Sequence, residues 1–348
     1  MEPAARAIAV PGAAEPRARI PVTVLAGFLG SGKTTLLNRI LAGDHGLRIT
    51  VFVNDFGSIA IDRRLIVSRD ATTIALDNGC VCCSVSNDLV SQLTGVLEGP
   101  ACPEHVLIET SGVSDPGRLL VALRDPHLRS LSRIDGVITV VDVASVDAIP
   151  PAQHELARRQ LASADVIVFN KVDLVTTKEL NALRGRLSYP AARVVETSFG
   201  DVPLEVALGV NSRSDKPVSG GAGLRRTMPA TDHSESFATW SWVCDQPLSY
   251  GPVRRVLASL PPDVYRAKGF LYLAEACEQR VVAHVVGTRV DVRPLGTWDG
   301  VQPRSELVFI SLRHGIDVSS LRERLAETVA GATEPDGHRQ ASTASAAA

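Results

Sequence analysis

No apolar run among the 348 residues is long enough to cross a bilayer, so a transmembrane helix is excluded from the reading. Charge is not lopsided either. A formal net charge of -2 gives no electrostatic reason to expect a nucleic acid or an acidic membrane as partner. The first nineteen residues mix Glu, Arg, Pro and Ala with no continuous apolar core, which predicts a disordered lead-in rather than a secretion signal. A disulfide framework needs dispersed cysteine pairs. The chain has six cysteines, and three of them crowd into Cys80-Val81-Cys82-Cys83. That crowding suits thiolate chemistry in a reducing compartment, and a cytoplasmic protein is expected. The eight histidines are scattered, and none is nominated as a ligand. No internal repeat is visible.

What is present is organised around Gly27-Phe28-Leu29-Gly30-Ser31-Gly32-Lys33-Thr34-Thr35. It fits the P-loop pattern Gly-x4-Gly-Lys-Ser/Thr. A Gly-rich turn alone is the bland alternative. The flanks argue against it: residues 22–26 read as a buried strand, and Leu37, Ile40 and Leu41 then recur at helical spacing. Strand, glycine loop and helix let backbone amides approach phosphate oxygens, with the helix N-terminus adding partial positive charge. Lys33 is placed to neutralise the β- and γ-phosphates, and the Thr34 hydroxyl to ligate Mg2+.

Strand-like runs follow at residues 49–54, 64–67, 73–76, 106–108, 137–142, 166–169 and 193–196. Helical patterns lie between most of them. This alternation predicts an α/β fold, a parallel sheet with helices on both faces, over residues 20–210. Residues 211–235 are rich in Ser, Gly, Pro and charge and read as a flexible linker. Residues 236–330 predict a small α+β unit. Its strands are expected at 237–243, 269–274, 281–286, 290–295 and 307–311, with helices at 253–260 and 321–329. The tail, 331–348, has little to bury and is expected to be disordered.

The motifs fall at carboxyl ends of strands, where open α/β sheets place ligands. Asn170-Lys171-Val172-Asp173 follows the fifth buried strand. One Asp173 carboxylate accepts from both N1–H and the exocyclic amine of guanine; adenine lacks that donor pair. Asn170 would brace the loop, and the Lys171 stem would cover the ring. Residues 197–200 follow the next strand and could close over the guanine edge. Glu109 can hold Mg2+ directly or through water, and the Gly112 amide can meet a γ-phosphate. Asp55, ending the second strand, is the other candidate for Mg2+ or the attacking water. Asp142 reads as structural. The three thiols Cys80, Cys82 and Cys83 can supply two or three soft ligands to one tetrahedral ion, zinc or cobalt. Redox chemistry and inert packing are the other readings; a Cys82–Cys83 bond would be strained. An incomplete ligand set favours transfer over permanent holding. Cys102, Cys244 and Cys277 sit apart and read as small apolar filler.

Taken together, these motifs resemble those of the CobW-type P-loop GTPases, a metallochaperone family related to the nickel-insertion GTPases of urease and hydrogenase maturation. The resemblance rests on the P-loop, Asn78-Gly79-Cys80-Val81-Cys82-Cys83, Glu109-Thr110-Ser111-Gly112 with Asp115-Pro116, and Asn170-Lys171-Val172-Asp173. In the second unit it rests on residues 260–269 and on Glu306-Leu307-Val308-Phe309-Ile310. It implies GTP hydrolysis with Mg2+, coupled to delivery of zinc or cobalt to a client metalloprotein, by a monomer or homodimer. The rival class is a GTP-dependent regulatory switch whose cysteines hold a structural ion or sense redox state. Two departures stand out. Asp55, a carboxylate reaching about one methylene less, occupies a position where the family usually has Glu. The linker holds only His233, where many members carry a His-rich tract.

Overall fold

The computed structural model describes residues 18–53, 72–75, 84–187, 189–209, 237–313 and 316–331. The strand expected at 64–67, Asp55, Asn78, Gly79 and the cysteines Cys80, Cys82 and Cys83 lie outside the described residues. So do nearly all of the linker and the tail.

The first unit is a seven-stranded parallel sheet in the order β3-β2-β4-β1-β5-β6-β7. Its strands are β1 (Ile20–Gly27), β2 (Ile49–Val53), β3 (Thr72–Ala75), β4 (His105–Glu109), β5 (Ser132–Asp142), β6 (Val166–Asn170) and β7 (Arg193–Thr197). Its helices are α1 (Lys33–Ala42), α2 (Ser84–Glu98), α3 (Pro116–Ala122), α4 (Pro126–Leu131), α5 (His154–Ala162), α6 (Thr177–Arg186) and α7 (Leu204–Leu208). Strand side chains alternate between faces, and the apolar runs supply both. Leu25, Val51, Leu107, Ile138 and Val168 pack with Leu36, Leu37 and Ile40 of α1. Val24, Phe52, Ile108 and Val137 face the other way, onto Leu89, Leu93 and Leu97 of α2 and Leu128 of α4. Ile167 and Phe169 meet Leu161 of α5 and Leu183 of α6. Full burial of each such side chain stabilises by roughly 1.5–3 kcal/mol. β1 lies between β4 and β5. The chain runs outward to β3, returns to β4 and crosses to β5, so the carboxyl end of β1 opens where the winding reverses.

The second unit is a five-stranded antiparallel sheet, β11-β10-β9-β12-β8. Its strands are β8 (Phe237–Cys244), β9 (Val264–Leu271), β10 (Gln279–Val286), β11 (Arg289–Thr297) and β12 (Ser305–Leu312). It carries α8 (Tyr250–Ala258) and α9 (Val318–Ala326). The strand expected at 269–274 is longer and earlier: β9 starts at Val264, and Ala274–Ala276 is a 3-10 turn. The polar Arg266 and Lys268 disguise its alternation, because its second face is charged and meets the first unit rather than solvent. One face of the sheet packs on α8 and α9, with Trp240 stacked on Phe309 at 4.2 Å. From the other face, Tyr265, Val286 and Ile310 join the core around α1.

The seam is fastened by buried charge. Arg266 pairs with Asp135 of β5 at 2.6 Å and donates to the carbonyls of Val206 and Ala207 on α7. Arg193 of β7 donates to Val264 and Leu260 carbonyls, and Arg289 pairs with Asp165 at 2.9 Å. Burial would push the Asp135 carboxyl up, but Arg266 and Arg133 outweigh it and hold Asp135 well below the usual carboxylate range. No described helix is long and apolar enough to cross a membrane.

Candidate functional site

The P-loop leaves the end of β1 and turns through three glycines with positive φ, Gly27, Gly30 and Gly32. Gly32 shows why the residue type is required: a Cβ there would lie 2.3 Å from Asn170 Nδ2. That atom donates to the Ser31 carbonyl at 2.8 Å, while Asn170 Oδ1 accepts from the Gly200 amide at 2.9 Å. Asn170 is buried, and its one amide joins the P-loop, the end of β6 and the loop after β7. This is the bracing that its position at a strand end suggests, reached through tertiary contacts that no local pattern displays.

No side chain caps α1. Its first amides have no intrahelical carbonyl to bond, the arrangement that receives anions. Lys33 is nearly buried, with its Nζ donating to the Phe28 carbonyl at 3.1 Å across the loop. The Ser31 hydroxyl is fully buried with no hydrogen-bond partner among the described residues. A buried hydroxyl with no partner costs stability, and here it sits inside the glycine loop.

Beside Lys33, Thr34 Oγ1 donates to Glu109 Oε1 at 2.8 Å. Glu109 ends β4 and is buried. A hydroxyl and a carboxylate in contact at the start of a P-loop helix are hard oxygen donors, suited to Mg2+. Gly112 lies three residues beyond, pressed on the P-loop; a Cβ on it would come within 2.6 Å of the Leu29 amide nitrogen. Thr35, in the first turn of α1, carries the loop into the helix.

Lys171 and Asp173 lie past Asn170. Lys171 adopts φ 65, and its Nζ pairs with Asp142 Oδ2 at 2.6 Å. Asp142, read from sequence as merely structural, thus orients the lysine. Asp173 is exposed in the short 3-10 turn Val172–Leu174. Phe199 has φ 57 and is 60% exposed next to Gly200. Non-glycine residues in the left-handed region are held there at a cost, and they gather at functional loops. Two of the three among the described residues belong to these two loops.

Sequence reasoning missed Gln160, whose amide reaches the loop beyond Glu109. A lone glutamine in a helix of mixed polarity carries no signal of facing inward. Among the described residues no group of three or more His, Cys, Asp or Glu side chains could hold a metal. The cysteine triad and Asp55 are not among them.

The fold and its loops define a P-loop nucleotide-binding protein with an appended α+β unit. The family model for the CobW/HypB/UreG nucleotide-binding domain matches residues 21–193, and that for the cobalamin synthesis protein cobW C-terminal domain matches residues 237–329. The chain is 32% identical over 354 residues to the zinc chaperone CobW of Sinorhizobium sp, covering 89% of this chain and 98% of that protein. It is 30% identical over 313 residues to the zinc chaperone YjiA of Escherichia coli, covering 84% and 94%. The crystal structure of the Zn(II)-bound YjiA GTPase from E. coli aligns at 25% identity with a TM-score of 0.45, over 89% of this chain and 99% of that one. The chain belongs to the CobW family of P-loop GTPases.

Proposed function

We propose that this protein hydrolyses GTP and uses the nucleotide state to control how tightly Cys80, Cys82 and Cys83 hold zinc, or cobalt, for delivery to a client metalloprotein. In this reading Gly27, Gly30, Ser31, Gly32, Lys33, Thr34 and Thr35 cradle the phosphates. Thr34 and Glu109 hold Mg2+, whose charge offsets that of the β- and γ-phosphates. Gly112 meets the γ-phosphate, Asp173 reads guanine, the Lys171 stem covers its ring, and Asn170 braces the guanine loop. Asp55 orients the attacking water or reaches the metal. Zinc is favoured because the relatives over most of the chain are named zinc chaperones. Turnover is expected to be slow, as is usual where no arginine finger is supplied in trans.

One observation carries the coupling. The loop that begins at Glu109, in contact with Thr34, ends at Asp115, which caps α3 by accepting from the Gly117 amide at 2.8 Å. Leu119 and Leu120 of α3 share a core with Leu89 and Leu93 of α2. α2 starts at Ser84, the residue after Cys83. A change at the phosphate end therefore has a packed route to α2, the helix that follows the cysteines in sequence, and the proposed coupling needs that route to differ between the two nucleotide states.

The test is zinc affinity by competition with a chromogenic chelator, in a non-hydrolysable GTP analogue and in GDP. At least a fivefold difference is expected, the low end of ordinary couplings. Equal affinities would reduce the protein to a switch with a resident ion. Cys82→Ser with Cys83→Ser should abolish stoichiometric zinc uptake and leave nucleotide binding in place.

A further inference from the structure

Gln160 is 1% exposed on α5. Its Nε2 donates to two carbonyls of the loop after β4, Gly112 at 3.2 Å and Ser114 at 3.0 Å. Its main-chain carbonyl accepts from Thr139 Oγ1 of β5 at 3.0 Å, so the residue is anchored to the sheet. The preceding residue, Arg159, reaches Asp115 Oδ2 at 3.2 Å. Two consecutive residues of α5 thus hold three of the five residues 111–115. On its other side the loop is pressed on the P-loop, since Gly112 leaves no room for a Cβ against Leu29. Glu109 ties its start to Thr34.

The choice of side chain is chemically specific. One carboxamide nitrogen carries two N–H groups and no charge, so it satisfies two carbonyls without importing an ion. A glutamate of the same shape would set an anion against two carbonyl oxygens.

We propose that Gln160 is a positioning residue for the triphosphate state. It holds residues 112–114 against the P-loop, so that the Gly112 amide and the Glu109 carboxylate stand where a γ-phosphate and its Mg2+ are met. A diphosphate lacks the γ-phosphate that this loop would meet and so does not depend on it. The inference rests on the reading that the pocket takes GTP with Mg2+.

The test uses the full chain and its variants Gln160→Leu, Gln160→Glu and Arg159→Ala. Affinities for GDP and for a non-hydrolysable GTP analogue are measured by equilibrium binding across a Mg2+ titration, beside thermal unfolding. For Gln160→Leu, the GDP affinity should stay within about twofold, while the analogue weakens about tenfold and needs more Mg2+. Arg159 is half exposed, so Arg159→Ala is safe for folding; it should shift the analogue alone, by about two- to threefold. Gln160→Glu should partly recover analogue binding as the pH falls from about 8 to about 5.5, because burial raises the carboxyl's pKa and the protonated form donates one of the two hydrogen bonds again; the wild type should not. A fall in melting temperature with both nucleotides weakened equally, or with neither weakened, would overturn the proposal and leave Gln160 a packing residue. If the wild type fails to prefer the GTP analogue over an ATP analogue, the underlying reading has failed as well, and both are lost together.

Discussion

The nucleotide loops and the seam between the two sheets both place polar groups out of water, but they treat them differently. At the seam, Arg266 has three partners, Asp135 has two arginines, and Arg193 and Arg289 end on carbonyls or a carboxylate. At the loops, the Ser31 hydroxyl is buried without a partner among the described residues, α1 is uncapped, and Lys171 and Phe199 sit in the left-handed region. Satisfied burial fixes two units to each other; the unpartnered hydroxyl and the left-handed residues cost stability at the loops, where the proposed function places a ligand. The contrast separates stability from binding, and substitutions in each region should move one and not the other.

The largest effect belongs to the loops. Asp173→Asn should weaken GTP by roughly 10⁴, because a site built around a hydrogen-bonded donor pair discriminates by that factor when the match is lost. Xanthosine triphosphate should gain correspondingly. Fluorescent nucleotide titration checks both, and the unfolding midpoint should hold. Next comes the seam. Arg266→Met leaves Asp135 buried with one cation fewer and should destabilise by about 3–5 kcal/mol in urea. GTP affinity should stay level in the fraction that is folded. A loss of affinity there would join the two regions and end the distinction.

The third effect is a pH dependence. His105 shares a hydrogen bond with Thr23 at 2.9 Å; burial is the main cause that lowers its pKa to about 4, with Asp135 opposing and Arg266 and Arg133 assisting. Burial likewise lowers His284 to about 4. In the unfolded chain both take up a proton near pH 6.5. Their contribution is therefore full above that pH and is lost as pH falls toward 4, by roughly 3 kcal/mol for His105. Burial raises Asp165, which acts with the opposite sign. Urea unfolding at pH 7 and at pH 4.5 should show the loss, and His105→Gln should shrink it. The smallest effect is at the surface: breaking the Arg186–Asp147 pair, exposed on both sides, should cost less than about 1 kcal/mol and vanish in high salt.

Much of the first sheet was legible because its strands are buried on both faces and read as unbroken apolar runs, such as residues 49–53 and 166–169. β9 was not, because Arg266 and Lys268 put charge where an inward face was expected. The short helix α7 was also unforeseen. Its five residues give too little length for a helical period, and its carbonyls matter only through Arg266.

The sequence by itself determined the loop chemistry. Glycine spacing, the lysine that follows, and an Asn and Asp after a strand are local patterns, complete within a few residues, and they carry the proposed phosphate and guanine contacts. Only the tertiary structure decided which distant groups complete those loops, Asn170 on Ser31, Asp142 on Lys171 and Gln160 on Gly112, and which close the seam, Asp135 on Arg266. Each pair is separated by 29 residues or more. A hydrogen bond forms only when packing brings its donor and acceptor within about 3 Å, and no local pattern encodes that proximity.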